Sequence, residues 1–563
     1  RFTAVPGDKR VTLFWDNAGE IAIDPLTGTK DFEGYKIYRS EDPTFSDVFT
    51  ITDANGSPFL GRPLDQSGKP AQFDLVNQWS GLHPVEYIGR GVKYNLGNNT
   101  GLVHEYVDSS VTNGKTYYYA VASYDHGFDT LGVQLPPSET QTSIIRDPIT
   151  QKLTFDVNTG AVTPGPLPGG SIKAGLNDNG YAQRVRGIAT GSVRIGILDD
   201  RTVPDNVQYK VEFDSLNGGI GYNVRPLKTF SERFTSRDTA LVPLSRTNFI
   251  ADSVAVYDAS GNLVPRNKYR LDASAGRIRG ASGGALPSGQ EFEIRYQYYT
   301  VFKSARLNEE DDNPSFDGMR VYAKAAILGI DSANSKWISK NNTNLLAKVF
   351  KPTALPTAPF RPAPLDFQII WNRTDRDARG KWLYPGDTLL NNRNQKVVVC
   401  PFRIVNITDT TKVRILVNNA LTDSIWTPGM EIFFITPPRF APQSPIPGML
   451  GLNFFQTTDT ASIIYPTQGN VFEINASKPF VAGDQYTFTT RAVKYDVAKA
   501  KKDMDNIYVV PNPYVAFSEL EVPGSTSTRR GDNRLQFRNL PPKCTIRIYT
   551  MVGELVDTIL KDD

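Results

Sequence analysis

The chain predicts an all-β fold, with several β-sandwiches in series joined by Pro/Gly-rich linkers. Three observations carry this expectation. Apolar residues recur with a period of two, as at Val11, Leu13 and Trp15 and again at Tyr117, Tyr119 and Val121, so each set lines one face of a strand. Aromatics make up 11% of the chain, with 25 Tyr and 30 Phe, and 45 Gly and 39 Pro supply the turns between strands. At 563 residues the chain is too long for one core and should form about three to five domains.

Residues 1–145 form the first expected domain. Pro6–Asp16, Tyr35–Arg39, Tyr106–Asp108 and Asn113–Ala122 read as its strands, with Trp15 as the core aromatic. Tyr117, three residues after Gly114, stands where such sandwiches keep a tyrosine corner. On these residues the segment resembles a fibronectin type III domain, which implies an immunoglobulin-like sandwich. It departs from that family in a long insert, about 40–103, rich in Gly, Asp and Asn. Long ordered loops are where binding function concentrates.

A turn-rich linker is expected over 146–170, then a second sandwich over 171–350 with an inserted hairpin unit at about 240–303. Residues 351–365, rich in Pro, read as a stiff spacer. A third sandwich is expected over 366–492 and a short, helical connector over 493–506.

The last part, 507–563, carries Ile507–Tyr514 with its Pro-Asn-Pro, then Arg534–Pro541, then Cys544–Val556 ending in a Gly turn. Cys544, Ile546 and Ile548 alternate with Thr545, Arg547 and Tyr549. This order of motifs resembles the start of the C-terminal sorting domain on cargo of the type IX secretion system of Bacteroidetes. The resemblance implies an address outside the outer membrane and the secretion machinery as a partner. In that family further strands follow, so the domain is expected to be truncated here. Arg1 falls in what reads as a first strand, so a longer precursor is expected.

Composition excludes several classes. The formal charge of +3 gives no bulk field for nucleic acid or an anionic membrane. No run of 18 apolar residues marks a membrane-spanning helix. Cys400 and Cys544 cannot make a disulfide framework. The three His, at 83, 104 and 126, fall in the first domain without zinc-motif spacing, and His104 should pack at the start of a strand. Gly280–Gly284 matches the nucleophile-elbow pattern in form, but no His follows position 126, so a turn is expected. A carboxylate pair for glycoside hydrolysis stays open at this stage.

Three sets of site residues emerge. Asp16, Glu20, Asp24 and Asp31 in one acidic loop, and Asp311, Asp312 and Asp317 in another, are candidate calcium ligands, because calcium needs six to eight oxygens; solvated acidic loops are the alternative. Trp79, Tyr87 and Tyr94 in the insert could stack on sugar rings, or form the core of the insert itself. Ten Asp-Ser/Thr-apolar or Asp-Thr-Thr tripeptides occur where shuffled composition gives about two or three. They resemble the acceptor pattern for O-glycosylation in the same bacterial group. Nine are candidates, Thr130, Ser215, Thr239, Ser253, Ser332, Thr388, Thr410, Ser424 and Thr460, and the tenth, Thr558, reads as half-buried. The expected function is a non-enzymatic extracellular structural protein that self-assembles, its partner another copy of itself through edge strands. The alternatives are an adhesin for cell-surface glycans and the accessory region of a larger secreted hydrolase.

Overall fold

A computed structural model describes the chain except residues 1, 25–27, 53–57, 61–62, 68, 88–91, 131–132, 151, 178, 342, 353–359, 394, 419–423, 441–446, 457–461, 511–534 and 563. Strands account for 47% and helix for 4%, so the fold is all-β and multi-domain. No described helix is long and apolar enough to cross a membrane.

The first unit packs two antiparallel sheets face to face. One holds Phe2–Gly7, Arg10–Trp15 and Glu105–Asp108; the other runs in the order Thr159–Val162, Tyr117–Asp125, Phe32–Ser40, Gln72–Asp74. The arrangement is compatible with an immunoglobulin-like sandwich. Val11, Leu13 and Trp15 from one sheet meet Tyr35, Ile37, Tyr117, Tyr119 and Val121 from the other. Tyr117 Oη accepts a hydrogen bond from the Thr112 amide at 3.0 Å, pinning the corner before its strand. Buried Asp108 accepts from Tyr119 Oη at 2.7 Å and from Arg39 Nη1 at 2.8 Å, which satisfies a carboxylate that burial would otherwise penalise.

This unit does not stop at 145. Thr159–Val162 pairs with Tyr117–Ala120, and Ile144–Arg146 pairs with Leu153–Phe155. Most of the stretch read as a linker is therefore a hairpin and the sheet's last strand. Gly and Pro in 159–170 masked a strand only four residues long.

The second unit is assembled from three separated pieces. Its main sheet runs Gly175–Leu176, Gln485–Arg491, Gln208–Leu216, Gly219–Pro226, Val301–Ser304. Ser192–Ile197, Met319–Lys324 and Ser315–Phe316 form the facing sheet. Tyr209, Phe213, Tyr222, Met319, Val321, Phe480, Tyr486 and Phe488 share its core. Gln485–Arg491 thus belongs here, and the sequence boundary at 492 assigned it to the wrong sandwich. Its alternation is that of any half-buried strand; only tertiary pairing reveals its partner.

Two complete units hang from loops of this one. Residues 230–298 form one with its own core, built around Val256, Tyr269, Ile278, Ile294 and Tyr296. Val301–Ser304, placed by sequence inside that insert, instead pairs with Gly219–Pro226. Residues 329–477 form the other, a four-stranded sheet on a six-stranded one. Trp371, Trp426, Phe402 and Phe454 make an edge-to-face aromatic cluster at its centre. Leu346–Phe350 and Phe367–Trp371, on either side of the Pro-rich stretch, lie in the two sheets of this one unit, so that stretch does not separate two domains. Ala363 and Leu365 at its end are buried in that core.

Lys494–Tyr495 closes on Ser171–Ile172, and the connector then forms the helix Val497–Asp503, capped by Asp496 accepting from the Lys499 amide at 2.6 Å. Two two-stranded ribbons follow: Tyr508–Val510 with Gln536–Arg538, and Lys543–Tyr549 with Leu555–Asp562.

Candidate functional site

The two acidic loops meet on one histidine. His104 is held by its carbonyl, which accepts from the Trp15 amide at 3.2 Å. Its Nε2 lies 2.6 Å from Glu20 Oε1 and its Nδ1 lies 3.1 Å from Asp311 Oδ1. Glu20 sits on the short helix Ala18–Ile21, whose Ala18 amide donates to Asp16 Oδ1 at 3.2 Å; Asp311 belongs to the second unit. With a carboxylate on each ring nitrogen, the imidazole carries two protons and a positive charge. Burial pulls its pKa down, but the hydrogen bonds and charges of Asp311 and Glu20 outweigh this and raise it to about 9. The hydrogen bond from His104 in turn lowers the Asp311 pKa.

Other groups extend this junction. Tyr35 Oη donates to Glu20 Oε1 at 3.1 Å. Buried Arg320 donates to the Asp311 carbonyl and lies over the Phe14 ring, 5.2 Å from its centroid. Arg306 Nε pairs with Asp312 Oδ2 at 2.7 Å. Arg201 donates to the carbonyls of Pro6, at 2.8 Å, and Gly165, at 3.0 Å. The arrangement is a charged clasp between the first and second units.

The two acidic loops therefore come together, but the carboxylates of four of the seven candidate calcium ligands are engaged by other side chains. Glu20 and Asp311 serve His104, Asp312 serves Arg306, and Asp317 Oδ2 accepts from Tyr209 Oη at 2.6 Å. Asp24 closes its own loop, its amide donating to the Thr29 carbonyl at 2.9 Å. Asp31 has a raised pKa, from burial first and from the charge of Asp125 second. Among the described residues, no three His, Cys, Asp or Glu side chains come together to hold a metal ion.

Trp79 and Tyr94 do not form an exposed row. Trp79 stacks on His126 with ring centroids 4.5 Å apart. Tyr94 is buried, donates to Glu139 Oε1 at 2.5 Å, and lies under Lys36 Nζ. Only the backbone of Tyr87, in strand Leu82–Tyr87, lies among the described residues. Sequence reasoning missed the buried pair Lys36–Glu139, 3.1 Å apart, and fully buried Glu33. Burial, opposed by a hydrogen bond from Asn77 and aided by the charge of Asp74, lifts the Glu33 pKa to about 7. Two polar residues separated by about a hundred positions leave no local pattern that could have found them.

Of the candidate acceptor sites, Ser215, Thr239, Ser332, Thr388, Thr410 and Ser424 are exposed. Ser253 is half-buried, and its hydroxyl donates to the Ile250 carbonyl at 2.6 Å and accepts from the Gln297 amide at 2.8 Å. That structural role competes with modification. Thr460 and the side chain of Thr130 lie outside the described residues.

The terminal ribbon carries several exposed apolar side chains. Val552 is 83% exposed, Leu560 76% and Val556 63%, and no other described element contacts the ribbon enough to cover it. Cys544 lies half-buried on this ribbon, and Cys400 is a buried free thiol in the third core.

No protein-family model, curated protein or solved structure matches this chain.

Proposed function

We propose that this chain is a non-enzymatic structural protein of the outer cell surface, exported by a type IX-like route, that self-associates through its terminal ribbon. The observation that carries this reading is the hairpin Lys543–Tyr549/Leu555–Asp562, with Leu555, Val556, Ile559 and Leu560 of its second strand exposed to water. An isolated two-stranded hairpin is marginal in water, and exposed apolar patches of this kind mark interaction sites. Its outer edges offer backbone donors and acceptors to a strand from a second copy. The clasp and the nesting of units support a structural role, since each joins units by more than a single linker. The fibronectin III-like first unit and the sorting-like motifs are consistent with a surface location.

Sedimentation velocity and negative-stain microscopy of the full chain test this. Concentration-dependent oligomers or filaments are expected, and Val556→Lys with Leu560→Lys should abolish them. A monomer at every concentration overturns the reading.

A further inference from the structure

The inserted unit over 230–298 shows solvent two sheet faces with opposite charge patterns. On one, strands Phe230–Thr235 and Glu291–Tyr296 set Arg233 opposite Glu293. Arg233 also reaches Glu291 at 3.8 Å, and Arg295 pairs with Glu293 at 2.7 Å. Each arginine on these strands therefore has a carboxylate beside it. On the other face, strands Tyr269–Asp272 and Arg277–Gly280 set Arg270 directly opposite Arg279. Both side chains are exposed, and neither makes an ion pair or hydrogen bond with another described residue. Residues opposed across an antiparallel ladder have Cβ atoms about 5 Å apart, where like charges repel.

The neighbours do not relieve this repulsion. Asp272 lies opposite Arg277, and its Oδ1 also accepts from Ser274 Oγ at 2.9 Å and from the Ala275 amide at 3.1 Å. Strand Val242–Pro243, on the far side of Arg277–Gly280, brings no charge. Lys268, two residues before Arg270, is exposed and adds to the positive strip. An outside anion would supply what the sheet lacks. The planar fork of Arg matches the paired oxygens of a carboxylate or sulfate. On an open, flat face a single small anion stays hydrated and screened, whereas a chain of repeated charges engages several cations at once. Duplex DNA binders engage about six to ten phosphates, more than this strip serves. Single strands need exposed aromatics to stack on, and Tyr269 is buried. Membrane-surface elements set exposed apolar residues beside their basic ones. Here Ile278 is buried and Leu271 half-buried. A sugar chain bearing acidic groups needs neither.

We propose that the face carrying Arg270 and Arg279 binds an acidic polysaccharide, a sugar chain bearing carboxylate or sulfate groups. The two guanidinium groups grip one acidic group between them, and Lys268 meets the next along the chain. Bound anion removes the repulsion that the free sheet carries, so the arginine pair costs stability until its partner arrives. The face and the terminal ribbon lie on different units, so this binding and self-association can each fail without the other.

Biolayer interferometry on the full chain tests this, with heparin as the sulfated glycan and polygalacturonate as the carboxylated one. Neutral dextran, duplex DNA and phosphatidylglycerol vesicles serve as comparisons. At least one acidic glycan should bind, more weakly as salt is raised, and dextran should not. Arg270→Gln and Arg279→Gln should each weaken that binding about tenfold, the loss expected for one charge-assisted hydrogen bond. Arg233→Gln, on the balanced face, should leave it unchanged. Without glycan, Arg270→Gln and Arg279→Gln should keep or raise Tm, because each removes a like-charge contact; arginines with only a structural role would lower it. Any of five results would overturn the proposal: no binding by either acidic glycan, tighter binding of DNA or vesicles, binding that survives both arginine variants, an equal loss in Arg233→Gln, or a lowered Tm in both variants.

Discussion

Strands Gln485–Arg491 and Lys543–Tyr549 carry the same pattern and meet opposite fates. Burial alternates along all seven positions of each. In the first, Tyr486 and Phe488 are buried under a second sheet, with Phe213 edge-on to Tyr486 at 5.8 Å. In the second, Cys544, Ile546 and Ile548 remain half-buried, and their partner strand Leu555–Asp562 is exposed along almost its whole length. Alternation specifies which side chains share a face; whether that face becomes core depends on what covers it.

Substitutions can break this comparison, beginning with the largest effect. Phe488→Ala should destabilise the second unit by about 3–5 kcal/mol, read by denaturant unfolding, because it empties a closed core. Next, Glu33→Gln should stabilise the first unit. The Glu33 pKa is raised in the fold from 4.5 to about 7, so the native state favours the protonated acid. Wild-type stability therefore falls as pH rises from about 4.5 through about 7, and the Gln variant should gain roughly 1–3 kcal/mol above that range. Thermal melts of both proteins at pH 5 and pH 8 check it; equal shifts at the two values would contradict it.

His104→Ala should cost about 1–2 kcal/mol near neutral pH and loosen the first unit from the second. Here the folded pKa, about 9, exceeds the ordinary 6.5. The contribution is fully present below about pH 6.5 and is lost as pH rises through about 9. The difference between variant and wild type should thus shrink in alkali to the cost of the lost ring packing, which melting curves from pH 6 to 10 would reveal. Smallest of all, Ile548→Ala should change monomer stability by less than about 0.5 kcal/mol, as at other sites outside a closed core. A large loss there would mean the ribbon is already covered.

Much of this architecture was legible from local pattern. Strand alternation located Arg10–Trp15 and Tyr117–Asp125, and the corner at Tyr117 followed from Gly114. Close-spaced hairpins marked the unit over 230–298, although Val301–Ser304 was placed inside it and pairs elsewhere. What stayed hidden was long-range. The return of Gln485–Arg491 to Gln208–Leu216 spans two whole units, and no periodicity encodes it. The meeting of Glu20 with Asp311 on His104 joins loops nearly three hundred residues apart, so their carboxylates looked like separate clusters. Trp79 and Tyr94 looked available because aromatic content alone does not distinguish a platform from a small core.

The split of the second unit also sets a timetable. Gln208–Leu216 and Gly219–Pro226 leave the ribosome with half their core missing, and Phe480, Tyr486 and Phe488 arrive only after both nested units have been made. At ordinary elongation rates that delay is roughly 15–50 s. During it, Tyr209, Val211 and Phe213 present a bare apolar sheet to whatever holds the nascent chain. The two hanging units, each with a closed core, can finish first and wait. The last strand in is therefore the latch of the whole assembly, and a holdase that shields residues 208–226 would decide how many chains ever reach it.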